Sequence, residues 1–283
     1  MNLAPLNFSM RSSVTLFFTA LFFILTLVLS PGFSQENNTA VQEEEKEEQK
    51  NILKYNSQTS LSLVLTRGNN KNFSFSFDTN QTLKIHEANL LELKGRFINT
   101  ESNGEKKSEV YYSHLKYDRK VGKKAYLLSF IRYERNRLAG YNYRLALSVG
   151  GGATWIDNDK FNFASEMAFG WNNEKNTQRL SIGHVNGTSV WENTIKASFL
   201  SSIITNNVNF QMSENAQFSL QEVLFLNLEE IKDFRLNSYL SLTASINSNL
   251  ALKTSIQVVY ENLPVEGYKN TDTYFLSSIV FKI

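Results

Sequence analysis

Hydrophobic and polar side chains alternate along most of this chain. From Tyr55 onward the dominant period is two, the pattern of a strand with one face in apolar surroundings, and helical spacing is not evident. Over 141–156 the odd positions are Tyr141, Tyr143, Leu145, Leu147, Val149, Gly151, Ala153 and Trp155, while the even positions include Asn142, Arg144, Ser148 and Thr154. The same opposition sets Phe234, Leu236, Leu240 and Leu242 against Arg235, Asn237, Ser241 and Thr243, and Leu252, Ile256, Val258 and Tyr260 against Lys253, Ser255, Gln257 and Glu261. Shorter versions place Leu91, Leu93 and Phe97 opposite Glu92, Lys94 and Arg96, and Phe163, Met167 and Phe169 opposite Asn162 and Glu166.

These runs predict about twelve strands, over 57–67, 71–84, 89–100, 108–118, 124–134, 141–156, 160–172, 192–212, 216–228, 234–247, 250–262 and 271–283. Alternation is weak near 125–135 and 217–228, where a bulge or a slipped boundary is expected. Connections after the even strands are mostly short, as at 157–159, 213–216 and 248–249; those after the odd strands are generally longer or richer in charge, as at 101–107, 136–140, 173–191, 229–233 and 263–270. Short turns at one end and long loops at the other are the habit of an outer-membrane barrel.

A soluble sandwich or a lipocalin-like barrel would alternate too, with its apolar face inside. Formal charges in mid-strand (Lys94, Arg144, Glu166, Lys253), aromatics toward strand ends, and twelve meander strands that only closure can satisfy in lipid favour the membrane. The predicted fold is therefore all-β, an antiparallel up-and-down transmembrane β-barrel over residues 55–283.

Composition narrows the function. The chain has 283 residues, no cysteine and a net charge of +2, which excludes disulfide staples, thiolate metal sites and cysteine nucleophiles and argues against nucleic acid as a partner. Mean hydropathy is −0.30, too low for a bundle of membrane helices but compatible with a barrel that averages an apolar exterior with a polar interior. The first 34 residues carry one charge, Arg11, before an apolar run over 14–29 and then Pro31, Gly32 and Ser34, which reads as a signal peptide cleaved after Ser34. Residues 35–54 form an acidic solvated tail, with six Glu against two Lys between Glu36 and Lys50.

If the polar sets face inward, Glu92, Lys94, Arg96, Arg144, Glu166, Arg235, Lys253 and Glu261 line the lumen. Opposite charges in a narrow lumen pair and brace the wall, whereas a separated basic stripe would favour anions in a pore. Little else carries chemistry. His86 and His114 lack partners at ligand or catalytic spacing, and the run Gly150, Gly151, Gly152 is followed by no phosphate-binding helix, so it reads as a place of strand curvature or close packing. Around His184 the order Gly183, His184, Val185, Asn186, Gly187 is similar to the H-x-S-N-G element of outer-membrane lipid hydrolases, but no Ser follows at the spacing a base would need.

One resemblance is specific. The stretch from Tyr133, Glu134 and Arg135 through Gly140, Tyr143 and Arg144, then Arg235 to Ser238, and the ending around Pro264, Gly267, Thr271 and Asp272, resembles the YdiY-like family of outer-membrane proteins described as salt-induced. The likeness runs over roughly 55–283, weakest in its first third. Asn136 stands where the family usually has Asp, Leu263 replaces the first of two prolines, the 173–191 loop is longer than usual, and the chain ends in Phe281, Lys282 and Ile283 rather than an aromatic, which bears on recognition by the outer-membrane assembly machinery.

The resemblance implies a barrel in the outer membrane of a Gram-negative-type cell, with periplasmic termini and no established activity. The expected role is a narrow channel or a structural envelope component, not an enzyme. It needs no cofactor or metal, and its partners are membrane lipid, the assembly machinery and small solutes or ions. The alternatives are a surface-binding protein acting through the 173–191 and Pro264 loops, or a lipid hydrolase around His184.

Overall fold

The computed structural model describes residues 53–66, 72–103, 105–136, 139–184 and 187–283. The expected signal peptide and nearly all of the acidic segment lie outside the described residues, as do Arg137 and Leu138 of the motif stretch and Val185 and Asn186 beside His184.

Twelve strands follow in order: β1 Leu53–Thr66, β2 Asn72–Ile85, β3 Asn89–Ser102, β4 Glu105–Lys120, β5 Ala125–Asn136, β6 Tyr141–Asp157, β7 Phe161–His184, β8 Gly187–Ser213, β9 Ala216–Asn227, β10 Phe234–Ser245, β11 Leu250–Glu261 and β12 Thr271–Lys282. Each pairs antiparallel with its sequence neighbours, and β12 returns to β1, closing the barrel. The closing seam aligns Gln58 with Lys282 and Leu61 with Ile279, and Ser57 and Ile283 exchange backbone hydrogen bonds of 2.9 and 3.0 Å beside it. Closure joins the two edge strands of the sheet, which is how a strand wall spans lipid.

The apolar faces point out. Val149, Phe169 and Phe275 are 65, 53 and 66% exposed, while the carboxylates of Glu174 and Glu261 belong to residues only 2 and 6% exposed. This inverts the distribution of a soluble barrel and makes the wall a transmembrane one. A strand of about twelve residues at ~3.3 Å, tilted ~40°, rises about 30 Å, enough for the hydrocarbon layer.

Three local expectations are corrected. Residues 173–191 are not a loop: β7 and β8 continue as a paired ladder from Asn173↔Ser198 to His184↔Gly187, well past the last β6 partner, Tyr141↔Asn176, and the last β9 partner, Ser201↔Asn227. Outside the wall nothing demands alternation of apolar side chains, so this polar stretch lost the strand signature while keeping strand pairing. Residues 101–107 likewise belong mostly to β3 and β4, joined by a tight turn in which Asn103 takes φ 52° next to a register shift at Thr100/Glu101. The acidic tail ends earlier than expected, because Leu53 and Lys54 already pair with Ile85 and Lys84. Near β5 the anticipated irregularity falls between Glu134 and Asn136; at β9 it falls on the β8 side, between Gln211 and Ser213 opposite Gln217 and Ala216, while the pairing with β10 is unshifted.

Candidate functional site

The turn end of the barrel holds the start of β1 and the end of β12; the opposite, loop end holds the described connections 139–140, 228–233 and 262–270. Inward-facing polar side chains cross the interior at three levels between these ends.

Nearest the loop end, two cross-strand pairs face each other. Arg144 on β6 is the register partner of Glu174 on β7, and Arg235 on β10 is the register partner of Glu261 on β11. Each arginine reaches over the interior to the other pair's carboxylate. Arg144 donates from both terminal nitrogens to Glu261, at 2.8 and 3.2 Å, and Arg235 donates from both to Glu174, at 2.5 and 3.0 Å. The planar guanidinium matches a carboxylate fork for fork, so each bridge fixes orientation as well as distance. Arg144 Nε lies 3.4 Å from Glu174 Oε1, and Arg235 also donates to Asp233 at 3.3 Å and stacks over the Phe225 ring at 4.6 Å. Phe225 in turn meets Phe199 edge-on at 6.0 Å, in a buried cluster with Ile203 that fills the interior beside β8 and β9.

The middle level joins strands four apart in the ring, β3 and β11, through Arg96 on β3. Its guanidinium bonds Asp78 on β2 and reaches Gln257 on β11, and it lies over the Tyr239 ring at 5.0 Å. Gln257 passes the chain on to Asn237 at 2.9 Å, and Lys253 approaches the same Tyr239 ring at 5.2 Å. Toward the turn end, Lys116 on β4 bonds Glu166 on β7 and lies 3.1 Å from Asp118, while Tyr126 on β5 donates to Glu166 at 2.8 Å. A Cβ on Gly152 would stand 2.4 Å from the Tyr126 ring, so the glycine run admits the tyrosine that completes this level.

One connection reaches over the mouth at the loop end. The β11–β12 connection rises from Glu261 and places Val265, 8% exposed, and Tyr268 against Gly140 in the β5–β6 turn. Gly140 sits at φ 88°, and a Cβ there would lie 2.8 Å from the Tyr268 ring and 2.9 Å from Val265 Cβ. Only glycine combines that backbone with that closeness. Asn136 joins the same seam by donating to the Tyr274 hydroxyl at 3.2 Å, and Asn270 ties the loop back to the Glu261 carbonyl at 3.0 Å.

Of the eight charged residues expected on the inside, Arg144, Arg235 and Glu261 meet in one quartet, Arg96 and Lys253 share Tyr239, Glu166 anchors the third level, and Glu92 and Lys94 pair along β3 at 2.9 Å. Sequence reasoning missed Glu174, hidden in the supposed loop, and Asp78, Lys116 and Tyr126, whose even parity on β2, β4 and β5 would have marked them. Among the motif residues, Gly140 meets the Pro264–Gly267 loop, Tyr143 donates to Asn173 at 2.8 Å, Arg135 lies over the Tyr111 ring at 5.9 Å, and Glu134 is the register partner of Arg144. Tyr133 is part-exposed, and Thr271 and Asp272 start β12 opposite Tyr260 and Val259. His184 pairs with Gly187 at the far tip of the β7–β8 ladder, and His114 packs edge-on against Phe130 at 5.0 Å. Among the described residues no group of three or more His, Asp or Glu is placed to hold a metal ion.

Comparison with known proteins adds a family. The profile of a family described as "Protein of unknown function, DUF481" matches residues 59–283. No curated protein matches. Among solved structures, the NanC porin is similar at 9% identity and TM-score 0.45, over 82% of this chain and 98% of that one. The translocator domain of the autotransporter NalP from Neisseria meningitidis is similar at 12% identity and TM-score 0.44, over 81 and 87% of the two chains. The CymD monoaromatic hydrocarbon channel is similar at 8% identity and TM-score 0.38, over 81 and 87%.

Proposed function

The chain belongs to the DUF481 family of proteins of unknown function, and from its own geometry we propose that it is an integral outer-membrane barrel with an occluded lumen, a structural component of the envelope and not an enzyme. The short turns and the chain ends face the periplasm, the loop end faces outward, and lipid contacts the apolar belt. The observation that carries this reading is the swapped quartet of Arg144, Glu174, Arg235 and Glu261 beneath a loop seated on Gly140. Forked arginines that span the interior, together with the Phe199 cluster, occupy the space a solute would need. Ion pairs of this kind brace a wall and do not select ions, since each positive charge already holds its own anion.

Two measurements test it. The folded barrel migrates faster than the boiled chain on a denaturing gel, and its insertion into a planar bilayer gives no steady conductance. An ohmic current in the untreated protein would overturn the occluded lumen and restore the narrow channel.

A second reading has an observation of its own. The β7–β8 ladder projects beyond both of its neighbours, with β8 unpaired on its outer side over much of 187–200. Such an edge offers backbone donors and acceptors to an extended segment of another chain. On this reading the protein presents a rigid strand pair at the cell surface, held upright by the braced barrel.

A further inference from the structure

The outer face carries a polar interruption that neither occlusion nor surface presentation uses. Along β9 the outward positions run Phe218, Leu220, Glu222, Leu224, Leu226; the paired outward residues are Phe210, Val208, Asn206, Ile204 and Ser202 on β8 and Leu242, Leu240, Ser238, Leu236 and Phe234 on β10. The parity is set by the exposed Phe210, Leu236, Leu240 and Leu242. One register row therefore reads Ser165 on β7, Asn206, Glu222, Ser238, with leucine, isoleucine or valine on β8, β9 and β10 immediately above and below.

Its depth follows from the aromatics. Phe210 and Phe218 lie four residues to the periplasmic side, and Phe234, in ring contact with Tyr260 at 6.0 Å, pairs with Leu226 four residues to the other. Four residues at ~3.3 Å and ~40° tilt rise about 10 Å, so the row sits midway between the two aromatic levels. Among the described residues, Glu222 is the one formally charged side chain on the outward face between those levels. A carboxylate facing lipid at that depth is costly unless something meets it.

The barrel meets it only in part. Ser238 donates to Glu222 Oε2 at 2.6 Å, and Ser165 donates to Asn206 Oδ1 at 2.7 Å. What stays available among the described residues is one amide donor, Asn206 Nδ2, and one carboxylate acceptor, Glu222 Oε1, on adjacent strands. Acyl chains supply neither group, and lipid headgroups lie about 10 Å away.

We propose that this row is the centre of a two-fold interface with a second copy of the chain. A two-fold axis along the membrane normal between Asn206 and Glu222 brings each copy's amide to the other's carboxylate at nearly the same depth, so one donor and one acceptor become two reciprocal bonds. The flanking Leu220, Leu224, Ile204 and Val208 surround that polar centre with apolar contact.

The chain contains no cysteine, so single cysteines report proximity directly. The full-length protein is inserted in lipid vesicles and oxidised as Leu224→Cys, beside the row, and as Leu61→Cys, on the outward face of β1. The proposal expects a covalent dimer from the first and none from the second. In sedimentation, Glu222→Gln keeps the dimer and Glu222→Leu weakens it about tenfold. Heat-modifiable migration of every variant confirms a folded barrel, so a failure of the interface is distinct from a failure of the fold. A monomer at all lipid ratios, equal crosslinking at both cysteines, or a dimer unchanged in Glu222→Leu would overturn it. Capture of a different membrane protein at Leu224→Cys in place of the second copy would overturn it as well.

Discussion

The swapped quartet makes a quantitative demand. Arg235→Ala removes both forked bonds to Glu174, at 2.5 and 3.0 Å, and leaves that carboxylate, with a side chain 3% exposed, with Arg144 Nε at 3.4 Å as its nearest remaining cation. It also strips the cation from the Phe225 ring. Breaking a buried pair by deleting one partner costs about 3–5 kcal/mol, and a site close to the loop end belongs at the lower limit, about 3 kcal/mol. Glu174→Ala removes the same fork and leaves Arg235 with Asp233 as its remaining anion, while Arg144 keeps its own fork to Glu261, and costs a similar amount. Since both singles delete the same bridge, the double variant costs about 3–4 kcal/mol instead of the sum near 6, a coupling of about 2–3 kcal/mol. Urea unfolding from lipid vesicles, followed by tryptophan fluorescence, measures all four corners of the cycle. A single-variant cost under about 1 kcal/mol, or additivity within about 0.5 kcal/mol, would refute the bracing argument.

Other consequences are cheaper to check. Gly140→Ala strains a backbone at φ 88° and drives a methyl group into Tyr268 and Val265; limited trypsin digestion is expected to cut after Lys269 faster than in the wild type, and equal rates would mean the loop is not seated there. Leu240→Arg, on the lipid face beside the polar row, destabilises the barrel by about 2–4 kcal/mol in the same unfolding assay, and a smaller effect would place that face outside the hydrocarbon. Deleting residues 178–193 and closing the ladder with a turn leaves heat-modifiable migration intact, because the deleted pairs are made between β7 and β8 alone; loss of the folded band would show that the projection supports the wall. His184→Ala leaves membrane phospholipid turnover unchanged, and a slowed turnover would reopen a hydrolytic role.

How much of this was legible varied with the neighbourhood. Where a strand crosses lipid, alternation is a physical requirement, and the predicted 141–156, 234–247 and 250–262 fall within two residues of β6, β10 and β11 at each end. Where strands leave the membrane, as β7 and β8 do, pairing continues without the pattern that announces it. The weak alternation of β9 has two sources: a register shift on β8 between Gln211 and Ser213, opposite Gln217 and Ala216, and, farther along, Val223 and Phe225 turned inward with Glu222 turned outward. The parity that marked Arg144, Arg235 and Glu261 as inward carried no information on which of them touch.

Contact across the interior depends on the count and closure of the strands, and twelve gives a specific answer. Strands six apart in a closed ring of twelve stand opposite one another, so the β11–β12 connection faces the β5–β6 turn across the mouth. The motif segments around Gly140 and around Pro264 and Gly267 are distant in sequence, yet they meet because the 262–270 connection carries Val265 and Tyr268 across the mouth to Gly140. Arg144 lies near the start of β6, just after Gly140, and Glu261 precedes the loop at the end of β11, so the lid and the forked bridge beneath it are carried by the same two hairpins. Displacing one must load the other. An opened mouth in Gly140→Ala therefore comes with a weakened Arg144–Glu261 bridge, and a double-mutant cycle between Gly140→Ala and Glu261→Gln is expected to show coupling above about 0.5 kcal/mol, the level that separates neighbours from independent sites. Independence of the two would mean that the lid closes the mouth without reference to the ions under it.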